Sequence, residues 1–217
     1  MAERTHWREW HEHYEDPASS ISRRLLAVQR RLADALDQAP AGPIRLISMC
    51  AGQGRDVVGV LSGHPRNADV AARLVEGDTA LVHDARQAAA ALTNVEVVQG
   101  DAAMTSAYED FVPAGVILAC GIFGNISPDD IATTISELPR LCAPGAVVIW
   151  TRHHRAPDFT PTIREWFGGA GFEEVGFDTE DGWSYSVGTH RLDFDPLSFR
   201  SGRHLFSFDG DGKDAGF

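Results

Sequence analysis

A doubly wound α/β fold with a mostly parallel sheet is predicted by two features of the sequence. Short apolar runs alternate with helix-length segments over most of the chain, and turn residues replace the helices in its last part. The runs at 44–49, 70–76, 95–98, 116–119 and 146–150 are four to seven residues long and dominated by apolar side chains. Runs of that length read as strands buried on both faces. The segments at 56–61, 80–92 and 129–141 supply crossover helices, which parallel neighbours require. Beyond Gly171 the runs at 172–177, 185–192 and 204–208 are separated by turns, so an antiparallel end is expected.

Ahead of the first strand, Asp16-Pro17 offers an N-cap followed by proline at the first helical position. Ile21, Leu25, Val28, Leu32 and Leu36 then recur at steps of three or four, while Arg23, Arg24, Arg30 and Arg31 stand mostly off that stripe. The helix should stop before Pro40-Ala41-Gly42-Pro43. Residues 1–40 are thus expected to form an N-terminal helical segment and 41–208 the α/β domain. Residues 209–217, almost without apolar content, are expected to be a mobile tail. A chain of 217 residues fits one core better than two domains.

Nineteen Lys and Arg stand against 31 Asp and Glu, a formal charge of −12. Such a surface repels polyphosphate, so no nucleic-acid partner is expected. Cys50, Cys120 and Cys142 lack metal-type spacing, and their odd number argues against a disulfide framework and for a reducing compartment. No signal-like apolar core opens the sequence and no apolar stretch reaches spanning length, so a cytoplasmic protein without a membrane partner is expected. Oligomeric state is not legible.

Ligands of open α/β sheets bind beyond the carboxyl ends of the strands. There the first loop reads Ser48-Met49-Cys50-Ala51-Gly52-Gln53-Gly54-Arg55-Asp56, whose small residues let a ligand approach the backbone. A tight strand-to-helix turn without a ligand fits this loop equally well. Glu76 closes the second strand, 22 residues after Gly54, the interval expected for an acid that accepts two hydrogen bonds from a ribose diol. Asp101 closes the third strand, where it can accept from an adenine amine while the next backbone N–H meets a ring nitrogen. Capping of the following helix is its alternative role.

These segments together resemble class I S-adenosylmethionine-dependent methyltransferases. Cys50-Ala51-Gly52-Gln53-Gly54 is similar to that family's glycine-rich cofactor loop, Glu76 to its ribose acid, and Gly100-Asp101-Ala102 to its adenine-contacting turn. Leu141-Cys142-Ala143-Pro144-Gly145-Ala146 resembles the turn into its fifth strand, and Ala170-Gly171-Phe172 the segment before its sixth. The resemblance implies a seven-stranded sheet with one antiparallel strand, so one of 185–192 and 204–208 is an addition. It implies S-adenosyl-L-methionine as cofactor, held by Cys50, Ala51, Gly52, Gly54, Glu76, Gly77, Asp101, Ala102, Cys120, Gly121 and, from an N-terminal lid, Tyr14. Two positions depart from the pattern: Ser48 stands where the family has an acid, and Cys50 where it has a glycine. The cofactor's ammonium then needs backbone carbonyls or another acid, and Arg55 and Asp56 are candidates for contacts to its amino-acid tail.

The resemblance places the acceptor beside the loops after the fourth and fifth strands. Phe123 and Asn125 of the first loop face it on this reading. The second, Thr151-Arg152-His153-His154-Arg155, offers His153 or His154 as general base and arginines that suit an anionic acceptor. Trp10, His11 and His13 join Tyr14 in the lid or pack as an aromatic cluster, and Trp183 and Tyr185 line the pocket or the sheet edge. The histidines fit no ligand pattern, so no metal is expected. Methyl transfer to a small molecule is the reading that results. Its alternatives are a dinucleotide-binding oxidoreductase, whose third glycine would fall at Val57, and a cofactor-binding partner protein without catalysis.

Overall fold

The computed structural model describes residues 19–179 and 182–208. Seven strands form one sheet: β1 (Ile44–Met49), β2 (Val70–Glu76), β3 (Val95–Gln99), β4 (Ala114–Ala119), β5 (Cys142–His153), β6 (Phe172–Asp178) and β7 (Tyr185–Leu192). Their spatial order is β3-β2-β1-β4-β5-β7-β6. The first five run parallel to one another, and β7 lies antiparallel between β5 and β6. This is the expected doubly wound, mostly parallel seven-stranded sheet.

Among the described residues five α-helices cover it: α1 (Ser20–Gln38), α2 (Arg55–Leu61), α3 (Thr79–Ala88), α4 (Pro128–Glu137) and α5 (Thr160–Gly169). The strand side chains alternate between two cores, as the period of two requires. Leu46, Leu74, Val116, Leu118 and Ile149 pack with Val28, Leu32 and Leu36 of α1 and with Val57 and Leu61 of α2. Ile47, Met49, Ile117, Ala119, Val148 and Trp150 face the other way, onto Ile131 and Ile135 of α4 and Ile163 and Phe167 of α5.

Capping fixes where helices begin. Ser19 accepts the Ser22 N–H at 3.1 Å, so the cap expected of Asp16 falls to Ser19, and Asp16 and Pro17 lie outside the described residues. Asp78 accepts from Ala80 and Leu81 at the start of α3, and Ser127 accepts from Asp130 ahead of Pro128 in α4.

Residues 204–208, a candidate strand by sequence, are the addition. Their strand-like pairing is limited to isolated bridges, Met104 to His204 and Ile126 to Phe208. After β7 the chain runs back past α4: Leu197 donates to the Pro139 carbonyl, Leu205 donates to the Ala103 carbonyl at 2.8 Å, and Leu205 and Phe206 are buried. This segment therefore braces the turn after β3. No described helix is long and apolar enough to cross a membrane.

Candidate active site

The parallel register brings the carboxyl ends of β1, β2 and β4 level, because Ser48 lies beside Leu74 on one side and Leu118 on the other. The loop after β1 then turns with Cys50, Gly52 and Gly54 at φ of 51°, 55° and 68°. Among the described residues Cys50 is the one non-glycine at positive φ, a conformation that costs an L side chain strain and concentrates at ligand sites. Gly54 is needed twice over, since a Cβ there would also come within 2.7 Å of Leu74 Cδ2. The loop is held by Ala51 N–H to the Val75 carbonyl and Gly54 N–H to the Ala51 carbonyl.

Glu76 is buried at the end of β2 and reaches across to this loop. Its Oε2 accepts the Gly52 N–H at 2.8 Å and its Oε1 the Asp78 N–H at 2.9 Å, which leaves each oxygen a further lone pair. Gly77 follows it, opposite the Gly100 carbonyl. Asp101, exposed after β3, uses Oδ1 to accept from Ala103, so its capping role is real and its other oxygen stays available. The Ala102 carbonyl is bound by the Tyr108 hydroxyl at 2.7 Å, while its N–H meets no acceptor among the described residues. Burial, with Glu76 and Asp101 close by, pushes the Cys50 thiol well above its ordinary range. Both carboxylates thus act on Cys50 at the carboxyl end of the sheet, and a thiol raised in this way stays protonated rather than serving as a nucleophile.

Cys120 and Gly121 close β4. Gly121 donates to Thr151 Oγ1 at 2.8 Å, tying the β4 loop to β5, and the Cys120 thiol is also pushed up, by desolvation and then by Asp56. Asp56 is itself desolvated between these elements. Burial raises its carboxyl to about 6, opposed by the Val57 N–H and by the Arg24 charge. Ser48, at the position of the family's acid, is buried.

At the end of β5, alternate residues take opposite faces. His153 is half-buried; its Nε2 lies 3.1 Å from the Gly124 carbonyl and its Nδ1 3.2 Å from the Arg155 N–H, so both ring nitrogens are engaged by backbone. Burial lowers its pKa below the ordinary value, as do the charges of Arg152 and Arg155. His154, two residues beyond Arg152 on the same face, bonds the Ser186 hydroxyl through Nε2. Phe123 is fully buried among Trp150 and Phe167 and is a core residue, whereas Asn125 bonds the Gly121 carbonyl. Trp183 stacks on Tyr185 with ring centroids 4.9 Å apart. Tyr14, Trp10, His11 and His13 lie outside the described residues. Tyr108 and Thr151 hold the turns after β3 and β4 without a motif to announce them, because each is placed by packing between elements distant in sequence.

No protein-family model and no curated protein sequence matches the chain. Solved structures do match in fold. A CurJ carbon methyltransferase superposes with a TM-score of 0.60 at 15% identity, over 78% of this chain and 54% of its own. An O-methyltransferase family protein from Burkholderia thailandensis gives 0.59 at 15% identity, over 76% and 56%. The fibrillarin of Aeropyrum pernix, crystallised with natively bound S-adenosyl-L-methionine, gives 0.56 at 16% identity, over 75% of each chain. The chain thus spans little more than half the length of the first two. At these identities the likeness establishes the fold, that of class I methyltransferases.

Proposed function

We propose that the chain binds S-adenosyl-L-methionine and transfers its methyl group to a small-molecule acceptor. The observation that carries this reading is the convergence of Glu76, Cys50 and Asp101 on one crevice, with hydrogen-bonding capacity left over. Glu76 offers lone pairs to a ribose diol. Asp101 Oδ2 and the Ala102 N–H offer an acceptor and a donor two atoms' reach apart along one backbone turn, the pattern of an adenine edge. Gly52 and Gly54 keep the loop close enough for a ligand to lie against backbone.

Asp56 takes the place that Ser48 leaves vacant. A desolvated carboxylate with only backbone donors is costly by itself, and a bound ammonium offsets that cost. Arg24, whose charge acts on Asp56, is placed to meet the tail's carboxylate. The dinucleotide alternative needs a glycine where Val57 is fully buried in the core.

The bound cofactor supplies an electrophilic methyl on a sulfonium. This chain's residues hold the acceptor in line behind it, which can supply much of the rate. His154, with its Nε2 on Ser186, is the better placed of the two histidines to receive a proton, since both nitrogens of His153 already bind backbone. The charge of −12 supports a small acceptor over nucleic acid. A melting-temperature rise with S-adenosylmethionine, and none with NAD, is the expected outcome of a thermal titration. Radiolabelled methyl appearing on a component of a metabolite extract then tests transfer, and a larger rise with NAD overturns the reading.

A further inference from the structure

Arg152 is a buried cation that the proposed cofactor site does not employ. It is the last residue but one of β5, at the end of the sheet where the crevice opens, and it retains only 8% of its accessible surface. Its Nη1 donates to the Phe123 carbonyl in the turn after β4. The Nε is buried without any hydrogen-bond partner. The Phe159 ring covers the guanidinium, 5.3 Å from ring centroid to Cζ. Among the described residues no carboxylate ion-pairs with it, and the acid that acts on it electrostatically, Asp158, is exposed and engaged by the Thr160 N–H.

That arrangement is unfavourable in isolation. Buried arginines ordinarily occur with an anion, because desolvating a charge without a partner costs several kcal/mol. Here desolvation is strong enough to lower the guanidinium's pKa below its usual value. The same loop adds a second guanidinium at Arg155 and two imidazoles, of which His154 lies on the face of Arg152. A protein of net −12 has thus placed two arginines at the end of the sheet where ligands bind.

We propose that Arg152 is the receptor for a carboxylate on the methyl acceptor, with Phe159 packing against the acceptor's apolar part. This rests on the methyltransferase reading for the word acceptor, and it narrows the substrate class to small organic acids. A carboxylate suits the site because the guanidinium fork meets two oxygens at once and the vacant Nε–H is one tine of that fork. His154, on the same face, then stands beside the bound acid where a neighbouring hydroxyl or amine would release its proton. A purely structural Arg152, one that only ties β5 to the β4 turn, predicts no preference between an acid and its amide.

Matched pairs of carboxylic acid and carboxamide, from acetate and acetamide to benzoate and benzamide, are titrated in calorimetry against the full chain, with and without S-adenosylhomocysteine. Acids should bind, their amides at least about tenfold more weakly. Arg152→Gln should abolish the distinction and Arg152→Lys retain part of it. In the unaltered protein the arginine Nε–H resonances of an NMR spectrum provide a second reading that needs no variant: one should shift on adding benzoate and stay still on adding benzamide. Equal binding of acids and amides to the unaltered chain overturns the proposal, as does an acid preference that survives Arg152→Gln. Binding of S-adenosylhomocysteine is read in the same titrations. If it binds while acids and amides do not differ, the carboxylate proposal fails alone. If it does not bind while acids still prefer Arg152, the methyltransferase reading fails and the anion site remains.

Discussion

The Glu76 carboxylate and the Gly52 N–H meet at 2.8 Å, so the acid at the end of β2 also holds the loop after β1. On the proposed reading one side chain thereby serves both ribose binding and the conformation of the glycine-rich turn. Glu76→Gln loses the charge and can keep only one of the two backbone donors. Cofactor affinity should fall by about 1.5–3 kcal/mol, the range for charge-assisted hydrogen bonds. Asp78→Ala makes the contrast: it removes the α3 cap and about 1 kcal/mol of stability, and leaves affinity near its original value. Calorimetric titration and urea melts of the two variants separate these effects. A greater affinity loss in Asp78→Ala would reverse the roles given to the two acids.

Asp56→Asn should stabilise the protein while weakening its binding. The folded carboxyl is raised to about 6 by burial, from an ordinary value of 3.8. Between those values the folded state holds a proton that the unfolded chain has released, so stability falls as pH rises through the window. Asparagine keeps the contact to the Val57 N–H and removes the charge. Urea melts at pH 8 should show the variant more stable than the parent, and melts below pH 4 should show no difference. S-adenosylmethionine binding, measured at pH 8, should weaken in the variant. A variant that binds as tightly as the parent would leave Asp56 without a part in cation recognition.

The sheet was legible because its strands are buried on both faces and bounded by turn residues, which leaves a signal at each end of each run. Glu76 and Asp101 were legible for a related reason: a strand end has a fixed place in this architecture, so a residue there has a predictable location. The sequence could not choose between 185–192 and 204–208 because Leu205 and Phe206 are as apolar as a strand, yet they pack beneath the turn at Ala103 and pair with no named strand. The sequence offers Arg152 as one of two loop arginines suited to an anionic acceptor, without distinguishing it from Arg155. Its burial, its orphaned Nε and the Phe159 ring over it depend on how α5 docks on β5, and no spacing along the chain encodes that.

His153 and His154 should separate in kinetics. Replacing His153 by Ala removes the ring between the Gly124 carbonyl and the Arg155 N–H, and should cost about 1–2 kcal/mol of stability. Replacing His154 by Ala should lower turnover with S-adenosylmethionine affinity unchanged. The measurement is kcat and cofactor Kd for each variant beside its urea midpoint. Full turnover in His154→Ala would remove it from proton transfer.

A last expectation concerns a histidine far from the crevice. His190 on β7 is 1% exposed, stacks on Phe167 at 4.3 Å, and accepts the Trp150 indole N–H at Nδ1, 3.1 Å away. That bond requires a neutral ring, because a protonated Nδ1 would turn a second donor toward the indole. Burial accordingly lowers its pKa to about 4, although Glu174 near Nε2 pulls the other way. Between about pH 4 and 6.5 the unfolded chain takes up a proton that the folded chain refuses. Stability from this residue is thus complete above pH 6.5 and lost as pH falls towards 4, by about 3 kcal/mol for a shift of this size. Asp56 acts over nearly the same window with the opposite sign, so the parent should show a shallow pH dependence that conceals both. Asp56→Asn should therefore steepen the loss of stability on acidification, and adding His190→Gln should flatten it again. Urea melts at half-unit intervals from pH 4 to pH 8 test this; an Asp56→Asn profile no steeper than the parent's would show that one of the two groups is not desolvated as the packing implies.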